Sequence, residues 1–338
     1  MTTPPIVRRF QRRIEYLPFT QGSAEATTPW ALMFVAVGDL DIISVGQKCI
    51  SRITQPSFMK TRILTALIAL PIIITSIILP AYFPETIWLF VAIAVFAIAA
   101  GLFEFYSLTK KLELKADAAV GYLGAAALVI SFIFDAPSKA PDLLILTLAL
   151  FLIGVLISQT FRFQKDFSKM LTGMGVTILG VLYVAFLGGF LISMRVGFAQ
   201  FPGLSTDLLS FFFLVIFGSD AGAYFAGKAF GKHKLAPAIS PGKTVEGLIG
   251  GIISAAAFAA LATFWFFPEL PYQISIPLAV ILAAVGVLGD LAESAMKRGS
   301  KTKDAATLLP GHGGLLDRLD SLLLGAPLLY YFGKFYFQ

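Results

Sequence analysis

Apolar stretches long enough to cross a hydrocarbon core recur along most of this chain. A membrane-spanning helix needs roughly 20 predominantly apolar residues. Such stretches lie near 61–80, 86–107, 118–134, 142–158, 170–194, 207–227, 246–267, 275–293 and 314–333. They are continuous and not alternating, which argues against a transmembrane β-barrel. Composition agrees, because 57% of residues are hydrophobic and only 14% are charged, outside the range of an ordinary soluble domain. The expected fold is an all-α polytopic integral membrane protein with about nine transmembrane helices, the third and fourth of them short.

The charges between the stretches give an orientation. Lys110, Lys111 and Lys115 fall in one connection, Arg162, Lys165 and Lys169 in the next but one. Lys228, Lys232, Lys234 and Lys243, then Lys297, Arg298, Lys301 and Lys303, continue that alternation. The opposite connections hold only Lys139 and Arg195, with Lys334 at the C-terminal end. The positive-inside rule then places the N-terminus and all four basic connections in the cytoplasm. The net charge of +6 is accounted for by orientation and by anionic lipid or nucleotide, and no nucleic-acid partner is expected. A single cysteine, Cys49, excludes an internal disulfide or a cysteine metal cluster, and two histidines exclude a histidine-rich site.

Residues 1–58 differ in character. They mix Arg8, Arg9, Arg12 and Arg13 with polar residues and proline, and the apolar stretch Trp30 to Val45 is interrupted by Asp39 and Asp41. Carboxylates at those positions make a span costly, and the pattern is not that of a secretory signal. The expectation is a disordered N-terminal extension, or the product of an upstream start codon with Met59 as the natural start. The membrane domain is then 59–338.

Chemistry concentrates between Ser294 and Asp320, where Lys297, Arg298, Lys301, Lys303, Asp304, His312, Asp317, Arg318 and Asp320 sit between apolar stretches. Charges gathered at a bilayer boundary point to function. Asp317 and Asp320 share a face if their segment is helical, and Asp290 and Glu293 lie near the end of the preceding stretch. Converging carboxylates suit Mg²⁺, which binds hard oxygen ligands and substrate phosphates together. The alternative is ion pairing with Lys297, Arg298 and Arg318. The lysines and arginine are expected to neutralise a polyphosphate, and His312, bracketed by Gly311, Gly313 and Gly314, to contact phosphate or another part of the ligand.

A second charged segment runs from Gly218 to Gly247. Asp220 and Tyr224 are four residues apart and share a helix face. Ser240, Lys243 and Thr244 follow in a basic connection. The Pro-Gly-Lys-Thr piece lacks the spacing of a Walker A loop, yet it can present Lys243 and two hydroxyls to a phosphate. Glu104, near the boundary of the second stretch, is as compatible with snorkelling as with function.

At these residues the chain resembles the phosphatidate cytidylyltransferase (CDP-diacylglycerol synthase) family. The family pattern matches Ser294, Met296, Lys297-Arg298, Lys303-Asp304, Ala306, Leu309-Pro310, His312-Gly313-Gly314, Leu315, Asp317-Arg318, Leu319 and Asp320. The second segment matches at Asp220, Ala223-Tyr224, Gly227, Phe230 to Leu235, Ser240-Pro241, Lys243-Thr244 and Glu246-Gly247. It departs at Gly242, where the family usually has lysine, and at Val245, where it usually has tryptophan. The resemblance extends over about 59–338.

It implies transfer of CMP from CTP to phosphatidate, giving CDP-diacylglycerol and pyrophosphate in phospholipid biosynthesis. It implies a bacterial inner-membrane enzyme with its site facing the cytoplasm, as a monomer or homodimer. By that resemblance Asp290, Asp317 and Asp320 hold Mg²⁺, in a one-metal or two-metal site, and act in catalysis with Lys297 and Arg298. Asp220, Tyr224, Ser240, Lys243, Thr244, Lys303, Asp304, His312 and Arg318 contact substrate, with Arg318 either binding phosphate or pinning the aspartates. The rivals are an ion-coupled transporter, disfavoured because the acidic motif occurs once, and a CTP-dependent lipid kinase.

Overall fold

The computed structural model describes residues 56–162, 167–198, 201, 203–300 and 314–337, with side chains from Ala69 onward. The chain divides after Lys60, and the fold below is that of the unit from Thr61. The expected division at 58 and 59, and the expected disorder of 1–58, fall mainly outside the described residues.

Every one of the apolar stretches is helical. Helix α1 spans Pro56–Tyr82. A 3₁₀ turn at Pro84–Thr86 leads into α2, Ile87–Lys111. Helix α3 is Ala118–Ile133, a short α4 is Ala136–Lys139, and α5 is Pro141–Arg162. Helix α6, Met170–Gly180, continues through a π-helical segment, Val181–Phe186, into α7, Leu187–Val196. Helices α8, Leu204–Phe230, α9, Val245–Trp265, α10, Tyr272–Gly299, and α11, Leu316–Phe337, complete the bundle.

Six of these, counting α6 to α7 as one, are long and apolar enough to cross a membrane among the described residues. The count of nine is therefore not reached on that criterion. Ala118–Ile133 and the described apolar part of α1 are shorter. Helix α11 has the length, but carries Asp317, Arg318, Asp320 and Lys334. Large exposed side chains such as Leu123, Ile145, Ile153, Ile253 and Phe264 suit a lipid surround.

Local chemistry explains several boundaries. The Asp117 side chain accepts from Val120 N at the start of α3, and the Thr244 hydroxyl accepts from Gly247 N at 3.1 Å at the start of α9, satisfying donors that a helix N-terminus leaves unpaired. Lys110 and Lys111 close α2, where the helix dipole favours cations. Between α8 and α9 the chain makes a hairpin of β1, Lys234–Ala236, and β2, Ser240–Thr244, the only strands among the described residues. Lys234 faces Thr244 and Ala236 faces Ser240, with a register shift between the two pairs.

Helices α8 and α9 form the most extensive helix pair. Their seam is built of small residues. A Cβ on Gly222 would lie 2.3 Å from Ser254 Cβ, and one on Gly250 would lie 2.2 Å from Ala226 Cβ. Close backbone approach of this kind is a principal source of helix association in lipid. Helix α9 then packs on α10, and α10 on α11.

The other half of the bundle is filled by rings, with Phe132, Phe186 and Phe190 edge-to-face and Tyr330 of α11 against Phe190. Its ends are tied by buried polar groups. Arg195 is fully buried, not a loop charge, and donates to Ile77 O at 3.1 Å and to Thr206 Oγ1 at 3.1 Å. Asp135, in a left-handed backbone conformation, accepts from Tyr330 Oη at 2.5 Å and Lys334 Nζ at 3.2 Å.

Candidate active site

The ends of α8, α10 and α11, the start of α9 and the β1–β2 hairpin surround a cavity of about 970 Å³. Its charged lining residues include Asp220, Lys243, Asp290, Asp317, Arg318 and Asp320. Its apolar lining residues include Leu70 and Ile73 of α1, Ile216 and Phe217 of α8, and Leu248 of α9. Tyr224, one turn after Asp220, and Thr244 also line it.

Two backbone features bring the aspartates together. Gly289 precedes Asp290 where α10 meets α11, and a Cβ there would lie 2.3 Å from Asp320 O. At the start of α11, Asp317 and Asp320 lie in consecutive turns. Asp320 is buried, and its Oδ1 accepts from Ser321 N at 2.7 Å and Ser321 Oγ at 3.2 Å.

The carboxylates are partnered by cations. Lys243 Nζ lies 2.6 Å from Asp290 Oδ2. Lys297 Nζ bridges Glu293 Oε2 at 2.5 Å and Asp317 Oδ1 at 2.9 Å. The Glu293 contact is an ion pair, and both Glu293 oxygens are buried with no hydrogen-bond partner among the described residues. Arg298 points elsewhere, donating from Nε to Ile239 O of the hairpin at 3.0 Å. Lys297, Arg298 and Ser240 lie outside the cavity wall. Lys303, Asp304 and His312 fall outside the described residues.

Thus Asp220, Tyr224, Lys243, Thr244, Asp290, Asp317, Arg318 and Asp320 share one cavity. The Thr244 hydroxyl is engaged as the α9 cap. His233 Nδ1 lies 2.6 Å from Glu246 Oε1, and Glu246 also accepts from Lys232 N and His233 N, so that carboxylate secures the hairpin.

Among the described residues no three His, Cys, Asp or Glu side chains are close enough to form a ready-made metal cage. The donor chemistry nevertheless fits Mg²⁺. Hard carboxylate oxygens from Asp290, Asp317 and Asp320 surround a cavity with room for waters and phosphates, and one or two carboxylates normally suffice for that ion.

The sequence left the role of Glu104 open and did not mark Tyr183 at all. Glu104 of α2 is fully buried and accepts from Leu315 N at 2.9 Å and Leu316 N at 2.7 Å. Tyr183, in the π-helical segment, has a buried hydroxyl with no hydrogen-bond partner among the described residues. Single π-helical turns recur at functional sites, but nothing in the sequence marks this one.

Comparison with known proteins decides the family. The cytidylyltransferase family pattern matches residues 60–336. This chain belongs to the cytidylyltransferase family. The chain is 34% identical over 281 residues to a phosphatidate cytidylyltransferase of Bacillus subtilis strain 168, covering 81% of this chain and 97% of the relative. It is 36% identical over 268 residues to a protein of the same name from Brucella suis biovar 1, covering 78% and 93%. A third, from Haemophilus influenzae, is 47% identical over 134 residues, covering 38% of this chain and 46% of the relative. As a member of this family the protein is a nucleotidyltransferase, and the six long apolar helices among the described residues make it an integral membrane protein.

Proposed function

We propose that this cytidylyltransferase acts on CTP and phosphatidate, forming CDP-diacylglycerol and pyrophosphate. One observation carries the substrate pair beyond the relatives' names: a single cavity is lined both by charged groups and by apolar side chains of α1 and α8. A soluble nucleotide suits the first and a membrane lipid suits the second.

In the reaction an oxygen of the phosphatidate phosphate bonds to the α-phosphorus of CTP. The bond from that phosphorus to the bridging oxygen breaks, and its electron pair leaves with pyrophosphate. The attacking oxygen is already anionic, so the protein needs no strong base. Its main task is to hold two polyanions together against their repulsion.

Lys243 and Arg318 face the cavity and serve the phosphates, with Lys228 beside Tyr224 at its wall. Lys297 orients Asp317 from behind. Asp290, Asp317 and Asp320 would hold Mg²⁺. When bound, that ion supplies charge neutralisation and polarises phosphoryl oxygens. Lys303, Asp304 and His312 belong to the same site by their place in the family pattern.

The basic connections support a cytoplasmic orientation of the cavity, in a bacterial inner membrane. A homodimer remains part of the proposal and is measured by light scattering on the detergent-solubilised protein.

The test is turnover of purified protein with phosphatidate, Mg²⁺ and CTP labelled at the α-phosphate. Label in the lipid product, dependent on Mg²⁺, is expected. Transfer of γ-label in its place would convert the protein to a lipid kinase. Folded protein that labels no lipid from either position would overturn the proposal.

A further inference from the structure

The geometry points to Glu104 as the residue that positions the catalytic aspartates, acting from another helix through the start of α11. The inference rests on the proposed reaction, in which Asp317 and Asp320 act at the site.

A carboxylate buried in a membrane bundle is expensive unless its oxygens are occupied. Both oxygens of Glu104 are occupied by backbone. Oε1 takes the N–H of Leu315 at 2.9 Å, and Oε2 takes that of Leu316 at 2.7 Å. These are among the donors that the first turn of α11 cannot pair within itself. The negative charge also sits at the positive end of the helix dipole. Glu104 therefore works as a helix cap supplied from a helix more than 200 residues away in sequence.

The packing around this cap leaves little play. One turn before Glu104, a Cβ on Gly101 would lie 3.1 Å from Val184 Cγ1 and 3.6 Å from Leu319 Cδ1. Leu316 and Phe105 are buried on either side. Asp317 directly follows the capped Leu316, and Asp320 comes one turn later. The depth and rotation of α11 fix both side chains, and the Glu104 oxygens set its first turn.

The experiment compares wild-type protein with Glu104→Ala and Glu104→Gln, each purified by size exclusion as folded protein. Misplacement of reacting groups by about 1 Å costs on the order of 100-fold, so kcat of Glu104→Ala is expected to fall about 100-fold. KM for CTP should stay within about threefold, because the phosphate-facing Lys243 is untouched. Glu104→Gln keeps one oxygen acceptor and should recover part of the lost kcat.

A second readout needs no turnover. Mn²⁺ alone, titrated and followed by electron paramagnetic resonance, should bind Glu104→Ala about tenfold more weakly than wild type, since an interaction difference of 1.4 kcal/mol is tenfold. Wild-type kcat in the folded fraction of Glu104→Ala, or unchanged Mn²⁺ affinity, would overturn the positioning role and leave Glu104 structural only. Failure of wild-type protein to label lipid strikes the proposed reaction, and the Mn²⁺ titration then decides the positioning role by itself.

Discussion

Lys297 is the residue at which a phosphate-binding role and an internal role predict opposite outcomes. Its ammonium lies between Glu293 and Asp317, at 2.5 and 2.9 Å. The Lys297, Glu293 and Asp317 side chains are 16%, 2% and 19% exposed. Lys297→Met keeps much of the stem and removes the charge, leaving two carboxylates facing one another. Removing one partner of a buried ion pair costs about 3–5 kcal/mol. The partial exposure of Lys297 and Asp317 puts the expectation at the lower end, about 3 kcal/mol. At roughly 2 °C per kcal/mol for a domain of this size, the unfolding midpoint should drop by about 6 °C.

The assay is intrinsic-fluorescence thermal unfolding in detergent, followed by the double variant Lys297→Met with Glu293→Gln. Neutralising Glu293 removes the repulsion, so the double variant should regain at least half of the loss, a direct coupling between contacting residues. A lysine kept only for phosphate would behave differently, because removing such a cation from a basic site stabilises or leaves stability unchanged. A single variant that melts within 1 °C of wild type, or a double variant no more stable than the single, would refute the counterion argument.

Three further outcomes follow from the same geometry. Gly289→Ala forces a methyl onto Asp320 O, which should cost about 1–3 kcal/mol of stability and reduce lipid labelling; an unchanged melting midpoint would show that α10 and α11 can separate freely. Asp320→Asn keeps an acceptor for Ser321, so the protein should remain folded while turnover falls by about 100-fold or more, measured by lipid labelling on monodisperse protein. Gly242 lines the cavity, and among the described residues nothing lies within 4 Å of a Cβ built on it, so Gly242→Lys is the variant that restores the lysine usual in the family. A partly exposed charge contributes about 0.5–1 kcal/mol, which should lower KM for CTP about two- to fivefold, and a raised KM would show that the position is not electrostatically linked to the nucleotide.

The helices were legible because lipid demands continuous apolar runs, and each expected run from 61–80 to 314–333 coincides with a helix. The convergence of Asp290, Asp317 and Asp320 was also legible, since carboxylates at membrane boundaries cluster for a reason, whereas Asp220 joins them from a separate segment and Glu293, grouped with them in the sequence, is not in the cavity lining. Partners were harder. For Lys297 charge alone left two roles open, phosphate binding and ion pairing with the nearby acids, and only the fold shows that Glu293, one turn away, lies against it.

The Glu104 cap was hidden for a deeper reason. Its partners are main-chain N–H groups, which every non-proline residue carries, so nothing at Leu315 or Leu316 announces the contact. Arg195 misled in the opposite sense. An arginine between apolar runs reads as a loop charge, yet the α1 carbonyl of Ile77 and the hydroxyl of Thr206 let it sit inside. The hairpin between α8 and α9 was also missed, its few residues being dominated by lysine and proline and lacking alternation.

The apolar side chains that α1 and α8 contribute to the cavity have a kinetic consequence for the proposed reaction. A lipid that meets Leu70, Ile73 and Phe217 need not leave its leaflet to reach the charged side chains of the same cavity. Encounter then takes place in two dimensions for one substrate and in three for the other. Saturation by phosphatidate should follow its mole fraction in the bilayer or micelle, and diluting it with inert lipid at constant total amount should slow turnover as effectively as removing it.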